Sequence, residues 1–534
     1  MNRIIRKPIP KVWIFLSVLF LVAIFVRCLY FDSIYFTYDQ SRDAFKALEI
    51  WTSDSIKIQG PKTDFSGLHH GPLYWYLISP AYFLSKGNPQ AARALLVIIN
   101  SLGVFFIYWL SQSLFKNKKI SLTAAVLYAF SFEVVQYARW LSNPSPALIT
   151  IILSFWSFWN FIKGKKWGLP LTLFFWGLSV QFEFFMIYQI VVFAIIWFAL
   201  NGIKLPRVKK REVYQSLLAL FLPFLTFLLV EIKFNFNGLK ALLSFFKTQS
   251  QFGTSFSEVF IRYTDQLAST FFLNIMGLNL PLAATIGIVI VFLSIKFIKK
   301  DSNIRKPLIF LLSWVFSSAL LQFFRGTDAT FTNIGIGLAI ILLFSAVIVL
   351  IQRESGVPKF IYPIIISLVL VGNLSLIISQ NKKSEVLFFV QNEMTLKDEM
   401  KVLDWVYQES QGEQFKLNTI TNPLFINTTW AYLFDWYGKN EYGYMPIWWG
   451  ETQVNVHGDH VKFENNQEVL LHFLIIEPGP GIPEKYVYTI QDFEDERSKL
   501  IKTKKIGSFT VEKREIIKNK VFTSSDVFER IKQE

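Results

Sequence analysis

The chain has 534 residues, enough for several soluble domains, but its composition excludes an ordinary soluble protein. Apolar residues make up 52% of it and charged residues only 17%, and the apolar residues come in runs of about 20, the length that spans a bilayer. The net charge of +15 would suggest nucleic acid in a soluble protein, but here the basic residues lie in short loops. We therefore expect a lipid bilayer and no nucleic acid as partner.

In chain order, the apolar runs predict a polytopic α-helical membrane protein with about eleven transmembrane helices. The first run follows the basic tail "MNRIIRKPIPK"; it is long and lacks a small-residue cleavage site, which favours a retained helix over a signal peptide. The stretch 168–200 would fit one helix, but basic loops on both sides of it favour two. The predicted spans are 12–31, 91–115, 120–138, 145–162, 168–182, 184–200, 213–232, 281–299, 307–324, 333–351 and 360–379.

Five short basic loops determine the predicted orientation. All of them fall on the side of the basic N-terminal tail when the spans are counted in order. Lys and Arg in short loops stay cytoplasmic, so the N-terminus is predicted to be cytoplasmic and the C-terminus extracytoplasmic in a plasma (inner) membrane. The loops are "KNKK" (116–119), "KGKK" (163–166), "LPRVKKR" (205–211), "KFIKKDSNIRK" (296–306) and "QRESGVPK" (352–359).

The longer connections lie on the outer side. Residues 32–90 form the first outer loop, whose segment "LYWYLISPAYFL" (73–84) is too short to span and is predicted to lie in the outer leaflet. Residues 233–280 form another, with two amphipathic interfacial helices. A transmembrane domain is predicted over 1–380 and an extracytoplasmic α/β domain over 381–534, where charged residues return and apolar runs shorten to strand length.

Within the C-terminal domain, four segments have the β-branched and aromatic bias of strands, and one has helical periodicity. The aromatic-rich stretch 421–450 would stack on sugars or dock the domain onto the membrane part, and we favour docking. The predicted strands are 414–420, 468–477, 486–490 and 508–515, and the predicted helix is 395–410.

Several common catalytic motifs are absent from the sequence. It has no G-x-x-x-x-G-K-[ST], no G-x-G-x-x-G after a strand, no C-x-x-C, no H-E-x-x-H, and no D-x-D of the kind that holds a metal-bound nucleotide sugar. A soluble nucleotide-sugar donor is therefore disfavoured. His457, Asp459 and His460 could ligate a metal, but two histidines in a polar loop are usually surface residues. A divalent metal is compatible with the sequence, yet no ligand motif for any cofactor is seen.

The first outer loop carries the main functional signal. "FTYDQSRDA" (36–44) follows the first helix, and "HHGPLYWY" (69–76) follows a turn rich in Gly and Pro. With the helix count and the outer C-terminal domain, these segments resemble the GT-C superfamily of membrane glycosyltransferases, in particular bacterial relatives of the protein O-mannosyltransferases and the lipid A aminoarabinose transferase. The resemblance implies that Asp39 is the catalytic base and that His69, His70 and Tyr74 lie near the substrate.

Two positions depart from that family's pattern. Gln40 stands where the family commonly has Glu, which leaves Asp43, one helical turn on, as a candidate second catalytic carboxylate. Gly71 replaces one Pro of the usual pair. Neither change removes the base, but both bear on which substrate the protein uses.

The residue types also suit transfer from a lipid-linked sugar without the resemblance. A carboxylate at the outer boundary can deprotonate an acceptor hydroxyl, and a departing phosphate needs cationic partners. Arg139 and Arg325 at predicted outer helix ends are candidates for that contact, with His69 and His70 as further donors. Glu183 is a candidate substrate-binding residue, since an ionised carboxylate in apolar surroundings needs a cavity or a partner.

Each candidate also has a structural interpretation. The acidic cluster would be ordinary polarity at headgroup level, and Asp43 would pair with Arg42 or cap a helix. The two histidines would stabilise a turn, and the two arginines would only extend their side chains to the membrane interface.

The sequence thus predicts an integral membrane glycosyltransferase, a hexosyl- or pentosyltransferase of the GT-C type. It would move a sugar from a polyprenyl-phosphate-linked donor to a hydroxyl of a protein, lipid or glycan, with inversion implied by the resemblance. The alternative is an oligosaccharyl transferase or polymerase with a diphosphate-linked donor, which metal dependence would favour. A transporter fits less well because the polar groups concentrate outside the helix centres; a non-catalytic envelope scaffold is the last alternative.

Overall fold

Helices account for most of the chain in the computed structural model. The structure describes residues 10–53, 56–63, 65–249, 256–322, 330–354, 356–384, 387–388, 391, 393–450, 468–479 and 481–533. The described helices up to Lys382 are α1 Lys11–Arg27, α2 Tyr38–Thr52, α3 Leu73–Leu84, α4 Pro89–Ser101, α5 Gly103–Phe115, α6 Lys118–Phe130, α7 Phe132–Arg139, α8 Ala147–Ile162, α9 Gly168–Phe182, α10 Gln189–Asn201, α11 Lys210–Lys233, α12 Asn237–Gln249, α13 Phe256–Asn274, α14 Leu280–Lys300, α15 Ser302–Phe316, α16 Ala319–Gln322, α17 Ile336–Glu354 and α18 Ile361–Lys382, with 3₁₀ turns at Phe184–Tyr188 and Thr330–Asn333.

Among the described residues, six helices are long and apolar enough to cross a membrane, and a seventh span results if α6 and α7 count as one despite the 50° bend between them. Each of the eleven predicted spans coincides with one of the helices above or with two consecutive elements; the number eleven stays a prediction. The six are Pro89–Phe115, Phe184–Asn201, Lys210–Lys233, Leu280–Lys300, Ile336–Arg353 and Ile361–Lys382.

Local sequence explains where several helices begin. Asn88, Asn117 and Asn279 each accept a hydrogen bond from a backbone N–H in the first turn of α4, α6 and α14, the usual work of an N-cap. The predicted break inside 168–200 is present: α9 ends at Phe182, and Glu183 has an extended backbone and caps the following turn through its Oε1.

The helix ends that carry basic loops meet at one end of the bundle. Lys119 donates to the Gln352 side chain, and Lys163 donates to the backbone carbonyl of Ser113. These contacts join three of the five basic loops at what we call the basic end. From there α9 runs away to Phe182, so Glu183 and the residues around it lie at the opposite end, which we call the site end.

The C-terminal part contains a five-stranded sheet of strand order β2-β1-β3-β5-β4. β1 pairs in parallel with β2 and β3, while β5 is antiparallel to β3 and β4. The strands are β1 Lys416–Ile420, β2 Ile447–Trp448, β3 Leu471–Ile476, β4 Ser498–Ile506 and β5 Phe509–Ile516, and the helices are α19 Leu396–Ser410, α20 Thr428–Leu433, α21 Lys439–Tyr442, α22 Glu484–Arg497 and α23 Ser524–Gln533, with a π-helical turn at Phe434–Gly438.

Three of the four predicted strands and the predicted helix are confirmed as β1, β3, β5 and α19. The strand predicted at 486–490 is wrong, because these residues lie in α22. That helix starts after Pro483 with Glu484 in its first turn and buries Ile490 and Glu494, four residues apart on one face. Strand β4 was not predicted, because its lysines are exposed on a sheet edge rather than alternating with a buried face.

The C-terminal part packs directly onto residues 32–90, the segment predicted above to be the first outer loop. The N–H of Phe36 donates to the Met394 carbonyl at 3.2 Å, and the N–H of Leu396 donates to the Ile34 carbonyl at 2.9 Å. In the aromatic stretch 421–450, Tyr432 packs on Phe36, Phe45 and Tyr82, as docking predicts, whereas Trp430 contacts Glu477 and Phe509 within the C-terminal part. His457, Asp459 and His460 lie outside the described residues.

Candidate active site

The acidic cluster of the first outer loop lies on a helix rather than in a loop. α2 begins at Tyr38, and the Gln40 side chain accepts from the N–H (3.2 Å) and the hydroxyl (2.8 Å) of Thr37. This reciprocal capping fixes the first turn. Asp39, Arg42 and Asp43 then follow at i, i+3 and i+4, on one face of the helix.

Arg42 joins the two aspartates. Its Nη1 donates to Asp39 Oδ1 at 2.6 Å, while Nε and Nη2 donate to Asp43 Oδ1 at 3.0 and 2.9 Å. The side chain of Asp39 is 57% exposed and that of Asp43 only 2%. One carboxylate can therefore meet a substrate directly, while the other holds the guanidinium from inside the protein.

Asp43 is itself held by Trp75 of α3, whose indole N–H donates to the same Oδ1 at 2.9 Å. The second oxygen, Oδ2, is buried and accepts no hydrogen bond from the residues that the structure describes. Burial raises the pKa of Asp43 to about 6, against the opposing charge of Arg42. The group is thus ionised at neutral pH but close to titrating.

The second predicted segment forms a small hairpin beside this helix. The N–H of Gly60 donates to the His70 carbonyl at 3.2 Å, and the N–H of His70 donates to the Pro61 carbonyl at 2.9 Å. The Nδ1 of His70 accepts from the N–H of Phe184 at 3.1 Å. Burial lowers the pKa of His70 to about 3, with the charge of Arg42 adding to the effect. His70 is therefore neutral, and its proton sits on Nε2, the nitrogen free to donate to a ligand.

Both departures from the family pattern have a local explanation. The Gln40 amide donates to the Leu141 carbonyl at 3.2 Å, which a glutamate could not do. The N–H of Gly71 donates to the Gln181 carbonyl at 3.0 Å, which a proline could not do, and a Cβ at position 71 would overlap the Gln181 side chain. Each replacement thus fits the contacts of its own position.

Glu183 and Tyr74 are buried at the site end. Glu183 Oε1 accepts from the N–H of Phe185 at 3.2 Å and lies 3.9 Å from His70 Nδ1, so the carboxylate stabilises the turn after α9 next to the histidine. The Tyr74 hydroxyl is buried without a hydrogen-bond partner among the described residues. Burial, with the nearby charge of Asp43, raises the pKa of Tyr74 well above its ordinary value.

The remaining candidates lie elsewhere. Arg139 is buried and donates to the backbone carbonyls of Leu29 and Ser33, both at 2.7 Å, so it holds the segment between α1 and α2. His69 is half-buried, and burial and Lys62 lower its pKa. Arg325 lies outside the described residues.

The structure therefore joins Asp39 and Asp43 through Arg42, whose charge also acts on His70, and it places Glu183 next to that histidine. Sequence reasoning missed Trp75 and noticed Arg42 only as a pairing partner. The i, i+3 spacing of Asp39 and Arg42 was an available signal, whereas no local pattern links Trp75 to Asp43 across 32 residues. Within the described part of the chain, no group of three or more His, Cys, Asp or Glu side chains could hold a metal ion.

Comparisons with known proteins place this geometry in context. Residues 69–229 match the family of dolichyl-phosphate-mannose-protein mannosyltransferases. No curated protein sequence matches the chain. The fold is similar to that of apo ArnT from Cupriavidus metallidurans, with a TM-score of 0.57 and 9% identity over 94% of this chain and 98% of ArnT. ArnT bound to undecaprenyl phosphate is equally similar, with a TM-score of 0.57 and 9% identity over 95% and 98% of the two chains.

A third solved structure, the oligosaccharyltransferase of Archaeoglobus fulgidus in complex with Zn and sulfate, has a TM-score of 0.49 and 12% identity over 91% of this chain and 71% of that one. The sequence match begins at residue 69 and includes His70 and the turn with Glu183, and the similarity in fold to ArnT extends over almost the whole chain. The comparisons thus confirm the predicted resemblance to protein mannosyltransferases in sequence over residues 69–229, and the fold is similar to that of ArnT along nearly the full length of the chain.

Proposed function

We propose that this chain is a glycosyltransferase that moves a sugar from a polyprenyl-phosphate-linked donor to a hydroxyl acceptor at the outer face of a prokaryotic plasma membrane. The observation that carries the proposal is the arrangement on α2: an exposed Asp39 bound to Arg42, which a buried Asp43 holds from behind. The undecaprenyl phosphate bound to ArnT and the dolichyl-phosphate donor in the name of the matching family support the donor class.

In the proposed reaction Asp39 is the general base. It accepts the proton of the acceptor hydroxyl as that oxygen attacks the anomeric carbon of the donor. The bond from the anomeric carbon to the phosphate oxygen breaks on the opposite side, and the polyprenyl phosphate leaves with the electron pair. A single displacement of this kind inverts the anomeric configuration.

Arg42 and His70 are the proposed partners of the leaving phosphate. Arg42 is held by Asp43 through two of its nitrogens. Its guanidinium is therefore already oriented and loses little conformational entropy when it binds the phosphate. Neutral His70 would add a hydrogen bond from Nε2, since its Nδ1 is occupied by the N–H of Phe184. Asp43 is then a positioning residue: it keeps Arg42 between the base and the phosphate.

The proposed orientation places the site end outside the cell. Three basic loops meet at the opposite end, where the positive-inside rule favours the cytoplasm. The C-terminal part, which packs on the first outer loop, would then be extracytoplasmic. A reporter fused after Gln380 should be active only outside the cytoplasm, and cytoplasmic activity would overturn this orientation.

The donor class is tested in membranes that contain the enzyme and its endogenous acceptors, given matched polyprenyl-monophosphate and polyprenyl-diphosphate sugars with a radiolabelled hexose or pentose. We expect transfer from the monophosphate donor to endogenous protein, lipid or glycan, and no loss of it with a metal chelator. Transfer from the diphosphate donor alone, abolished by the chelator, would favour an oligosaccharyl transferase or polymerase instead.

A further inference from the structure

One aromatic side chain of the C-terminal part enters the cleft between the two helices of the first outer loop. Tyr432 of α20 is 1% exposed. Its ring meets that of Phe45 edge-to-face at 5.0 Å between centroids, that of Phe36 at 5.6 Å and that of Tyr82 at 6.4 Å. Its hydroxyl donates to the carbonyl of Gly87, just beyond α3. Tyr432 thus contacts α2, the segment before α2, the end of α3 and the turn that follows α3.

Two further contacts join the same surfaces near the first turn of α2. The Ser41 and Thr429 hydroxyl oxygens lie 3.4 Å apart. The segment just before α2 pairs with the chain before α19 through two backbone hydrogen bonds, from Phe36 to Met394 and from Leu396 to Ile34. The backbone on either side of Asp39 is therefore held by the C-terminal part.

We propose that Tyr432 is a positioning residue for sugar transfer: it holds α2 so that Asp39 and Arg42 face the substrate. This inference rests on the proposed function, because Asp39 and Arg42 are the proposed base and phosphate ligand. The C-terminal part then completes the active site without contributing a reacting group. Phe45 follows Asp43 by two residues on α2, so a shift of the ring pair moves the carboxylates directly.

The expected effect follows from the contacts that each variant removes. Tyr432→Ala deletes a ring packed on three aromatic side chains of the first outer loop and leaves a cavity that lets α2 shift. Because a misplacement of about 1 Å can cost about a hundredfold in rate, we expect the kcat for transfer to fall between about ten- and a hundredfold. Tyr432→Phe keeps the ring contacts and loses only the hydrogen bond to Gly87, so its kcat should stay within about threefold of wild type.

Tyr437→Ala is the matched control, because this tyrosine of the same aromatic stretch bonds Asp404 and packs on Trp436 and Tyr442, all within the C-terminal part. It should lose some stability of that part but little kcat. The KM for the donor should rise in Tyr432→Ala, because Arg42 moves with α2, and should be unchanged in Tyr437→Ala. Equal loss of kcat in Tyr432→Ala and Tyr437→Ala would overturn the inference, since general damage to the C-terminal part would then explain both.

A second readout does not depend on activity. In a Cys28→Ser background, a cysteine introduced by Ala47→Cys on α2 reports opening of the cleft through its rate of reaction with a water-soluble maleimide, since Ala47 is fully buried. The rate should rise at least about tenfold with Tyr432→Ala, and not with Tyr432→Phe or Tyr437→Ala. An unchanged rate with Tyr432→Ala would overturn the inference.

Restoring the position of α2 with a cross-link distinguishes a positioning role of Tyr432 from a chemical one. The double change Ser41→Cys and Thr429→Cys, oxidised to a disulfide, should restore most of the transfer lost in Tyr432→Ala, and reduction should remove the gain. A variant that stays inactive when cross-linked would contradict a positioning role. If wild type transfers no sugar while maleimide labelling still rises in Tyr432→Ala, the proposed function is wrong, but the inference that Tyr432 holds α2 in position is supported.

Discussion

The Asp43→Asn substitution tests the division of roles between the two aspartates. Asp43 Oδ1 receives three hydrogen bonds, two from Arg42 and one from Trp75. The amide keeps the shape and one acceptor oxygen but removes the buried negative charge that holds the guanidinium. Breaking a buried ion pair costs about 3–5 kcal/mol of free energy. Arg42 keeps its bond to Asp39, and its side chain is 15% exposed. We therefore expect the loss of the Arg42–Asp43 pair to cost less, about 2–3 kcal/mol.

If that cost is expressed in the transition state, kcat falls by about 30- to 150-fold at about 1.4 kcal/mol per factor of ten. The assay is transfer of radiolabel from a polyprenyl-phosphate sugar to endogenous acceptors in membranes that contain equal amounts of each variant. Trp75→Phe is tested beside it; this change removes one of the three donors and should lower kcat less than Asp43→Asn does. A rate for Asp43→Asn equal to wild type would refute the view that Asp43 positions Arg42. A complete loss of transfer in Asp43→Asn, with transfer retained in Asp39→Asn, would instead make Asp43 the base.

Three further predictions concern pH and the residues that depart from the family pattern. Because the pKa of Asp43 is raised to about 6, lowering the pH protonates it and releases Arg42; kcat should fall with a midpoint near that value, and a flat profile down to about pH 5 would contradict this. Gly71→Pro removes the N–H bonded to the Gln181 carbonyl. Leaving that buried carbonyl without its donor costs about 1–3 kcal/mol of folding free energy, so both Tm and transfer should fall. A wild-type Tm would contradict the assigned contact. Burial, with Glu477 nearby, raises the pKa of Glu399 well above its ordinary value, so the folded protein loses stability as the pH rises from the ordinary pKa of a glutamate towards the raised one. Over that rise in pH, Tm should fall less in Glu399→Gln than in wild type, and equal slopes would contradict this assignment.

Much of the fold could be predicted because the bilayer restricts the chain so strongly. Apolar runs of spanning length and basic loops between them are local signals, and they placed every predicted span on a helix. The break at Glu183 was also predicted, since basic loops on both sides of 168–200 require the chain to return. The same reasoning failed at 486–490, where aromatic and β-branched residues lie on a helix, because tertiary packing overrides such weak preferences.

The candidate site was predictable only in part. Asp39 and Asp43 were singled out because they follow the first helix, but their different exposure depends on α3, whose Trp75 comes 32 residues later. The roles of Gln40 and Gly71 depend on the carbonyls of Leu141 and Gln181. Such partners are distant in sequence and carry no periodic signal, so only the folded chain reveals them.

The contribution of the C-terminal part was the least predictable feature. The aromatic-rich stretch is compatible with docking and with sugar stacking, and although docking was favoured from the sequence, no pattern indicated which residue makes the contact. Its contact with α2 through Tyr432 requires the sheet to hold α20 against the first outer loop. This contact links two segments almost 400 residues apart, Ser41 and Thr429 being separated by 388.

The most direct test of the central claim compares wild type, Asp39→Asn and Glu49→Gln in transfer from a radiolabelled polyprenyl-phosphate sugar, at equal amounts of folded, membrane-inserted protein. Glu49 is a matched control, since it lies on the same helix and is also ion-paired, with Lys46 and Lys57. The account predicts that wild type and Glu49→Gln transfer the sugar and that Asp39→Asn loses at least about a hundredfold in rate. Undiminished transfer by Asp39→Asn would contradict its role as the base.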